Sequence, residues 1–216
     1  MAKQKYNYDQ TLFTIDTEEK AYILGFIVAD GTLSLTKTNH CIKIYQKEYE
    51  ILNDISKITG GVVKKQSTRD LYHLTINSKF LFEAAQKVGL RVNKTYNGID
   101  TELMKQSIPN NLIVHFFRGL IDGDGCITLT PAQSYEFQPC IHISIPDLKI
   151  LDWMKTYFNL PYKISERNRK DCLPMYSLTI RSTYAIQLCK EMYLNSHISL
   201  QRKQKRAIMI MNFFDS

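Results

Sequence analysis

Residues 22–31 read YILGFIVADG, and residues 116–125 read FFRGLIDGDG. Gly25, Asp30 and Gly31 of the first stretch recur as Gly119, Asp124 and Gly125 at a constant spacing of 94 residues. Such self-similarity marks a repeat architecture, which has to be settled before any single element is read. The echo continues: TINS at 75–78 matches TIRS at 179–182, and LNDISKITG at 52–60 shares its apolar spacing with LDWMKTYFN at 151–159. The spacing drifts from 94 to 104, as loop insertions between repeated elements would make it.

Each half then reads in the same order. A short apolar helix (18–30 and 110–124) ends at Asp-Gly, and a two-stranded hairpin follows (31–46 and 125–145). Next comes a helix with apolar residues at three-four spacing, Ile51, Leu52, Ile55 and Ile58 in one half and Leu148, Leu151, Trp153 and Met154 in the other. A second hairpin (61–77 and 162–181) and a closing helix (78–89 and 182–194) complete the unit, and the second half adds a helix over about 200–213. The expected fold is α+β: two pseudo-symmetric αββαββα units forming a saddle of two antiparallel sheets, with the two Asp-Gly helices packed at the centre. The expected domains are residues 1–100 and 112–216, joined by a linker over 101–111, where Pro109 sits near the start of the second Asp-Gly helix.

Composition narrows the function. The chain has 216 residues, 44% hydrophobic and 23% charged, enough for a core without disulfide staples. Its net charge of +7 favours a polyanionic partner, and the excess is shared, +3 over residues 1–108 and +4 over 109–216, so both halves can face the same polyanion. The longest apolar run, Ala21 to Ala29, is too short to span a bilayer, so no membrane partner is expected. Met1 to Asp9 lacks the apolar core of a secretory signal. Five cysteines (41, 126, 140, 172 and 189) with no CxxC spacing point to reduced, buried thiols rather than a zinc site or disulfide framework. The expected location is the cytoplasm, for a bacterial or phage-encoded chain, or an organelle matrix. No phosphate loop or nucleophile elbow is present, and the scattered histidines (40, 73, 115, 142 and 197) do not support an HNH or GIY-YIG nuclease.

The strands alternate with period two, which gives each sheet one apolar and one polar face. The polar face carries Thr32, Ser34, Thr36, Lys43, Tyr45, His73, Thr75 and Asn77 in the first half. In the second it carries Thr128, Thr130, His142, Ser144, Ser177, Thr179 and Arg181. A solvated sheet would look the same, but these hydrogen-bonding side chains are also of the kind that read base edges. Lys163, Arg167 and Arg202 join them as candidate DNA contacts, Arg202 from the densest basic cluster, RKQKR at 202–206.

Gly25 and Ala29 share one helix face, as do Gly119 and Gly123, and small residues there let two helix backbones approach closely. The helix ends then lie side by side, with Gly31 and Gly125 expected to supply left-handed turns and Asp30 and Asp124 left adjacent. Two carboxylates beside two helix C-termini repel each other and the dipoles, and a divalent cation relieves this; oxygen-only ligands suit Mg²⁺.

LGFIVADG at 24–31 and RGLIDGDG at 118–125 resemble the LAGLIDADG signature of homing endonucleases, and the resemblance extends over nearly the whole chain. It implies a single-chain, pseudo-twofold monomer that cuts both strands of a long DNA site across the minor groove with Mg²⁺. Because the halves differ at nearly every strand position, the site is expected to be non-palindromic. The resemblance points to Asp30 and Asp124 as metal ligands and catalytic acids, with the carbonyls of Ala29 and Gly123 as further ligands. Asp122, which stands where the first copy has Val28, is read as a structural hydrogen-bonding residue. Gln46 matches a polar residue that the family uses near the attacking water. Its place in the second half falls near Ile145-Pro146, so the site is expected to be asymmetric. Lys94 and Lys203 resemble the family's basic residue and are candidates to stabilise phosphate charge. An RNA splicing maturase, with intron RNA as partner, or a DNA-binding regulator on the same scaffold is the alternative reading. No protein-splicing residues are evident at the ends, which favours a free-standing or intron-borne chain over an intein.

Overall fold

The computed structural model describes residues 7–131, 137–168, 170 and 172–215. The first unit runs α1 (Glu18–Asp30), β1 (Gly31–Leu35), β2 (His40–Gln46), α2 (Tyr49–Thr59), β3 (Val62–Lys65), β4 (Tyr72–Asn77) and α3 (Lys79–Lys87). Two short helices follow, α4 (Lys94–Asn97) and α5 (Thr101–Ser107), and then a 3₁₀ turn at Asn110–Leu112. The second unit runs α6 (Ile113–Asp124), β5 (Gly125–Pro131), β6 (Phe137–Ile145), α7 (Leu148–Tyr157), β7 (Ser165–Arg167), β8 (Met175–Arg181) and α8 (Ser182–Tyr193), and α9 (Gln201–Asp215) ends the chain. The sheets repeat one topology, β1-β2-β4-β3 and β5-β6-β8-β7, with every pair antiparallel.

Local chemistry sets the boundaries. Thr17 caps α1 by accepting from the Lys20 amide, and Glu18 and Glu19 sit in its first turn, where the helix dipole favours negative charge. Ser78 caps α3 and Asp147 caps α7 in the same manner. Gly60 ends α2 in the left-handed conformation, at φ 73°. Gly31 and Gly125 do not. They sit at φ −91° and −88° in extended backbone, so the expected left-handed turns are absent and each motif helix runs directly into its strand. Glycine is needed there for space, since a Cβ at Gly31 or Gly125 would lie 2.6 or 2.8 Å from the carbonyl oxygen of Ile27 or Ile121.

The stretch expected to be a linker is substantially helical. Asp100 caps α5 through the Leu103 amide, and Met104 and Ile108 are buried. Two smaller expectations are corrected. Leu148 is exposed, and Ile150 takes its place in the core face of α7. Cys126 and Cys172 are exposed, so buried free thiols are Cys41, Cys140 and Cys189 only.

One apolar core joins both units, and α1 and α6 cross at its middle. Lys20 through Val28 are all buried in α1, because this helix is surrounded on every side. The crossing is a backbone-to-backbone contact: a Cβ on Gly25 would lie 1.9 Å from the Phe116 carbonyl oxygen, and one on Gly119 would lie 2.1 Å from that of Tyr22. One turn further on, Ala29 fills the space that Gly123 leaves, as a Cβ on Gly123 would fall 2.1 Å from that of Ala29.

Two polar clusters interrupt this core. Asp122, fully buried, accepts from Tyr22 Oη at 2.8 Å, Tyr193 Oη at 2.7 Å and the Leu200 amide at 2.7 Å. Burial pushes Asp122 up, and pushes both tyrosines well above their ordinary range. Asp122 therefore ties α6 to α1, α8 and the start of α9. Buried Arg118 donates to Glu18 at 2.6 Å and to the carbonyls of Met192 and Ile198. Asp122→Ala strands three buried donors and is expected to cost about 3–5 kcal/mol, read as a loss of stability in urea unfolding. A cost near zero would mean the cluster carries no stability.

Candidate active site

The two motif helices deliver Asp30 and Asp124 to one point. The closeness follows from the crossing, because a Cβ on Gly123, next to Asp124, would stand 3.4 Å from Asp30 Oδ2. Burial, and then the neighbouring Asp124 charge, push Asp30 up to about 6, against the pull of Lys94, Lys203 and Arg202. Burial pushes Asp124 up as well.

Lys94 and Lys203 occupy matching places. Lys94 Nζ donates to the carbonyls of Ile27 (3.0 Å), Val28 and Ala29 (2.6 Å) at the end of α1. Lys203 Nζ donates to those of Ile121 (2.6 Å), Asp122 (2.5 Å) and Gly123 (3.4 Å) at the end of α6. Each ammonium meets the negative end of a helix, where unpaired carbonyls would otherwise be buried. Burial brings both lysines down to about 8. The carbonyls of Ala29 and Gly123, expected as metal ligands, are thus also lysine acceptors.

Gln46, near the end of β2, donates through Nε2 to Asp30 Oδ2 at 3.0 Å. Gly31 pairs with Ile44 and Gly125 with Ile143, so Gln46 and Ile145 are structural counterparts. Ile145 is buried and apolar. Arg202 lies beside the same centre, but its Nε is engaged with Glu48 Oε1 at 2.6 Å, so this candidate DNA contact is held by a carboxylate. Glu48 was not legible as part of the site, because its partner is 154 residues away.

The polar faces fall out of the register. Thr32, Lys43 and Thr75 lie in one row across the first sheet, Tyr45 and His73 in the next with Lys64, and Ser34 and Asn77 in another. Thr36 lies outside the strand, in the β1–β2 turn. Across the second sheet His142 pairs with Thr179, and Ser144 with Ser177. Thr128 and Arg181 flank Cys140, Thr130 pairs with Gln138, and Arg167 pairs with Met175 at the edge. Lys163 is exposed just before β7. Neighbouring side chains are pre-ordered, with His142 Nδ1 2.9 Å from Thr179 Oγ1 and Ser177 Oγ donating to Ser144 Oγ at 2.9 Å. Lys64, Gln138 and Cys126 share these faces and were missed. Cys126 follows Gly125 as Thr32 follows Gly31, so the repeat itself held the signal. A cavity of about 1150 Å³ opens from Ala29, Lys94 and Asp124 along the second sheet past His142, Ser144 and Ser177.

The donors at the centre are all oxygens: two carboxylates, which repel each other, and helix-end carbonyls. That set fits a hard divalent cation. Among the described residues no three His, Cys, Asp or Glu side chains converge on one point, so water or phosphate oxygens would have to complete any shell. No helix among the described residues is long and apolar enough to cross a membrane.

A family model described as a LAGLIDADG-like domain matches residues 17–89. The glutamine–fructose-6-phosphate aminotransferase (isomerizing) of Methanocaldococcus jannaschii is 26% identical over 123 residues. The match spans 54% of this chain but only 11% of that protein. Among solved structures, the meganuclease I-SmaMI bound to uncleaveable DNA is similar at TM-score 0.60 and 14% identity, over 90% of each chain. I-AabMI bound to uncleaved DNA is similar at TM-score 0.59 and 15% identity, again over 90% of each chain. I-DmoI in complex with DNA and Ca is similar at TM-score 0.58 and 16% identity, over 89% of this chain and 96% of that one. Two like units joined through a pair of motif helices give this chain the fold of these meganucleases, and its first unit is matched by the LAGLIDADG-like domain.

Proposed function

We propose that the protein is a site-specific endonuclease that hydrolyses one phosphodiester bond in each strand of a long, non-palindromic DNA duplex, with Mg²⁺, as a monomer. The observation that carries the reading is the meeting of Asp30 and Asp124 between two sheets whose polar faces are built to hydrogen-bond. Asp30 and Asp124 are the side chains that would hold the cation, with Ala29 and Gly123 offering carbonyls. A divalent cation bound there lowers the pKa of water and neutralises charge on the phosphate.

The chain's own residues do the rest. Lys94 and Lys203 keep positive charge beside the carboxylates and fix the helix ends that carry them. Gln46 holds Asp30 in one orientation and presents an amide near the reacting phosphate. The faces around Lys43, His73, His142 and Arg181 set the DNA in register, by phosphate contacts for position and base contacts for sequence. Strands of six or seven residues span roughly 20 Å each, so two sheets in tandem cover about 40 Å, on the order of a dozen base pairs. In-register docking brings the scissile phosphates to the centre, and this positioning lowers the barrier.

The test is incubation of the full chain with a randomised duplex library, in Mg²⁺ and separately in EDTA. Enrichment of one sequence among the cut ends, in Mg²⁺ alone, is the expected result. Tight binding to structured intron RNA without scission of any DNA would replace this reading with the maturase.

A further inference from the structure

The polar face of the first sheet holds a histidine set among positive charges. His73 on β4 lies opposite Tyr45 on β2 and opposite Lys64 on β3. Lys43, two residues before Tyr45 on the same face of β2, also acts on the ring. Among the described residues the charges that bear on His73 are those of Lys43 and Lys64, and no carboxylate offsets them. Its Nδ1 is buried and has no hydrogen-bond partner. Buried polar atoms are nearly always paired, and an unpaired one is a cost that the free protein carries. His142 on the second sheet differs, because its Nδ1 already lies 2.9 Å from Thr179 Oγ1.

In the free protein burial, followed by Lys43 and Lys64, holds the pKa of His73 below its ordinary 6.5, so the ring is neutral at pH 7. A duplex laid on this face reverses that environment. Its phosphates neutralise the two ammonium groups, and their own charge favours a proton on the ring. Protonation makes both ring nitrogens donors, and phosphate and base oxygens are acceptors that the bare sheet lacks. The torsion that turns an imidazole is soft, so either nitrogen can be presented to the DNA. The Tyr45 ring, its centroid 6.0 Å from that of His73, then meets a cation within the range of cation–π attraction.

Resting on the reading of this sheet as a DNA-docking face, we propose that the protein takes up a proton at His73 when duplex DNA docks, so that its grip on DNA tightens as the pH falls. The proton comes from solvent and binds the lone pair of a ring nitrogen, and no other bond forms or breaks. Lys43 and Lys64 keep the ring neutral until DNA arrives. By linkage, a complex that binds more protons than its separate parts gains affinity as the pH drops through the bound ring's range, and the gain is complete below the free ring's range.

The experiment uses the full chain in EDTA with the duplex that the protein selects from the library. An Asp30→Asn background keeps that carboxylate, pushed up to about 6, from titrating in the same window. The His73 ring, recognised by its contact with the Tyr45 ring, is followed by NMR between about pH 5 and 8, free and bound. Its midpoint is expected to lie about one pH unit higher in the complex, and affinity to be about fivefold tighter at pH 5.5 than at pH 7.5. His73→Gln keeps a hydrogen-bonding side chain that does not titrate, and is expected to lose most of this pH dependence. Lys64→Met is expected to raise the midpoint of the free ring and so narrow the gap. A midpoint that DNA leaves in place or lowers, or a His73→Gln variant with the pH dependence of its parent, would overturn the proton uptake while leaving the endonuclease reading standing. Failure to hold any duplex at either pH would overturn both.

Discussion

Asp30→Asn is expected to abolish scission of the selected site while DNA affinity stays within about threefold of wild type, a difference of less than 1 kcal/mol. Asparagine keeps the shape and an oxygen for Gln46, but it removes the charge that holds a cation. Asp124→Asn is expected to do the same, because the two carboxylates meet at one place. The same change has an opposite effect on stability. In the metal-free protein Asp30 is pushed up to about 6 from an ordinary value of 3.8. The folded state therefore keeps its proton at pH values where the unfolded chain has lost it. Stability falls as the pH rises from about 4 through 6 and stays lowered above that window, by about 2–3 kcal/mol. Asp30→Asn removes this cost, so its melting temperature at pH 7.5 in EDTA is expected to exceed that of the wild type. The gain should shrink as the pH is taken towards 4. Thermal unfolding across that range, beside cleavage and binding assays, checks all three parts. A variant that still cuts, or whose stability gain grows on acidification, would be incompatible with the site described.

Gly119→Val is expected to leave no stable fold. A Cβ at this position would meet Tyr22 O at 2.1 Å and Phe26 N at 2.8 Å, both backbone atoms of a helix that is itself enclosed. Neither can turn aside as a side chain end could, so the helices must separate and take both units' core with them. Overpacking of this kind exceeds the usual 1–3 kcal/mol and approaches the whole stability of a typical domain. Even Gly119→Ala should be severe, and so should Gly25→Ala, which faces Phe116 O at 1.9 Å. The two are expected to be strongly non-additive, since the first already opens the crossing that the second would strain. Urea unfolding of the single and double alanine variants measures this. A loss below about 1 kcal/mol for either single change would show that the crossing is not rigid.

Much of this was legible because the chain states its plan twice. The motif helices, the hairpins after them and the alternation of Thr32, Lys43 and Thr75 follow from period and repeat alone. The adjacency of Asp30 and Asp124 follows from small residues four apart. What the sequence hid depends on distance along the chain. Nothing near Lys94 or Lys203 announces that each reaches the end of a motif helix 65 and 80 residues back. Arg202 reads as part of a basic run, and only the fold sets it against Glu48. Helix α5 was obscured by its single turn or two of weakly periodic sequence between Asp100 and Pro109. The turns at Gly31 and Gly125 misled for another reason. Glycine after a helix usually signals backbone freedom, and here it signals lack of room.

The Tyr22–Asp122 bond makes the two units unlike partners. At the repeat spacing, Tyr22 corresponds to Phe116 and Asp122 to Val28. Two copies of the first unit would press a phenolic hydroxyl against valine, with no acceptor, and two of the second would bring phenylalanine to the aspartate. Each mismatch penalises self-pairing. The two units are complementary across this seam, and neither can be exchanged for the other without rewriting both of its sides.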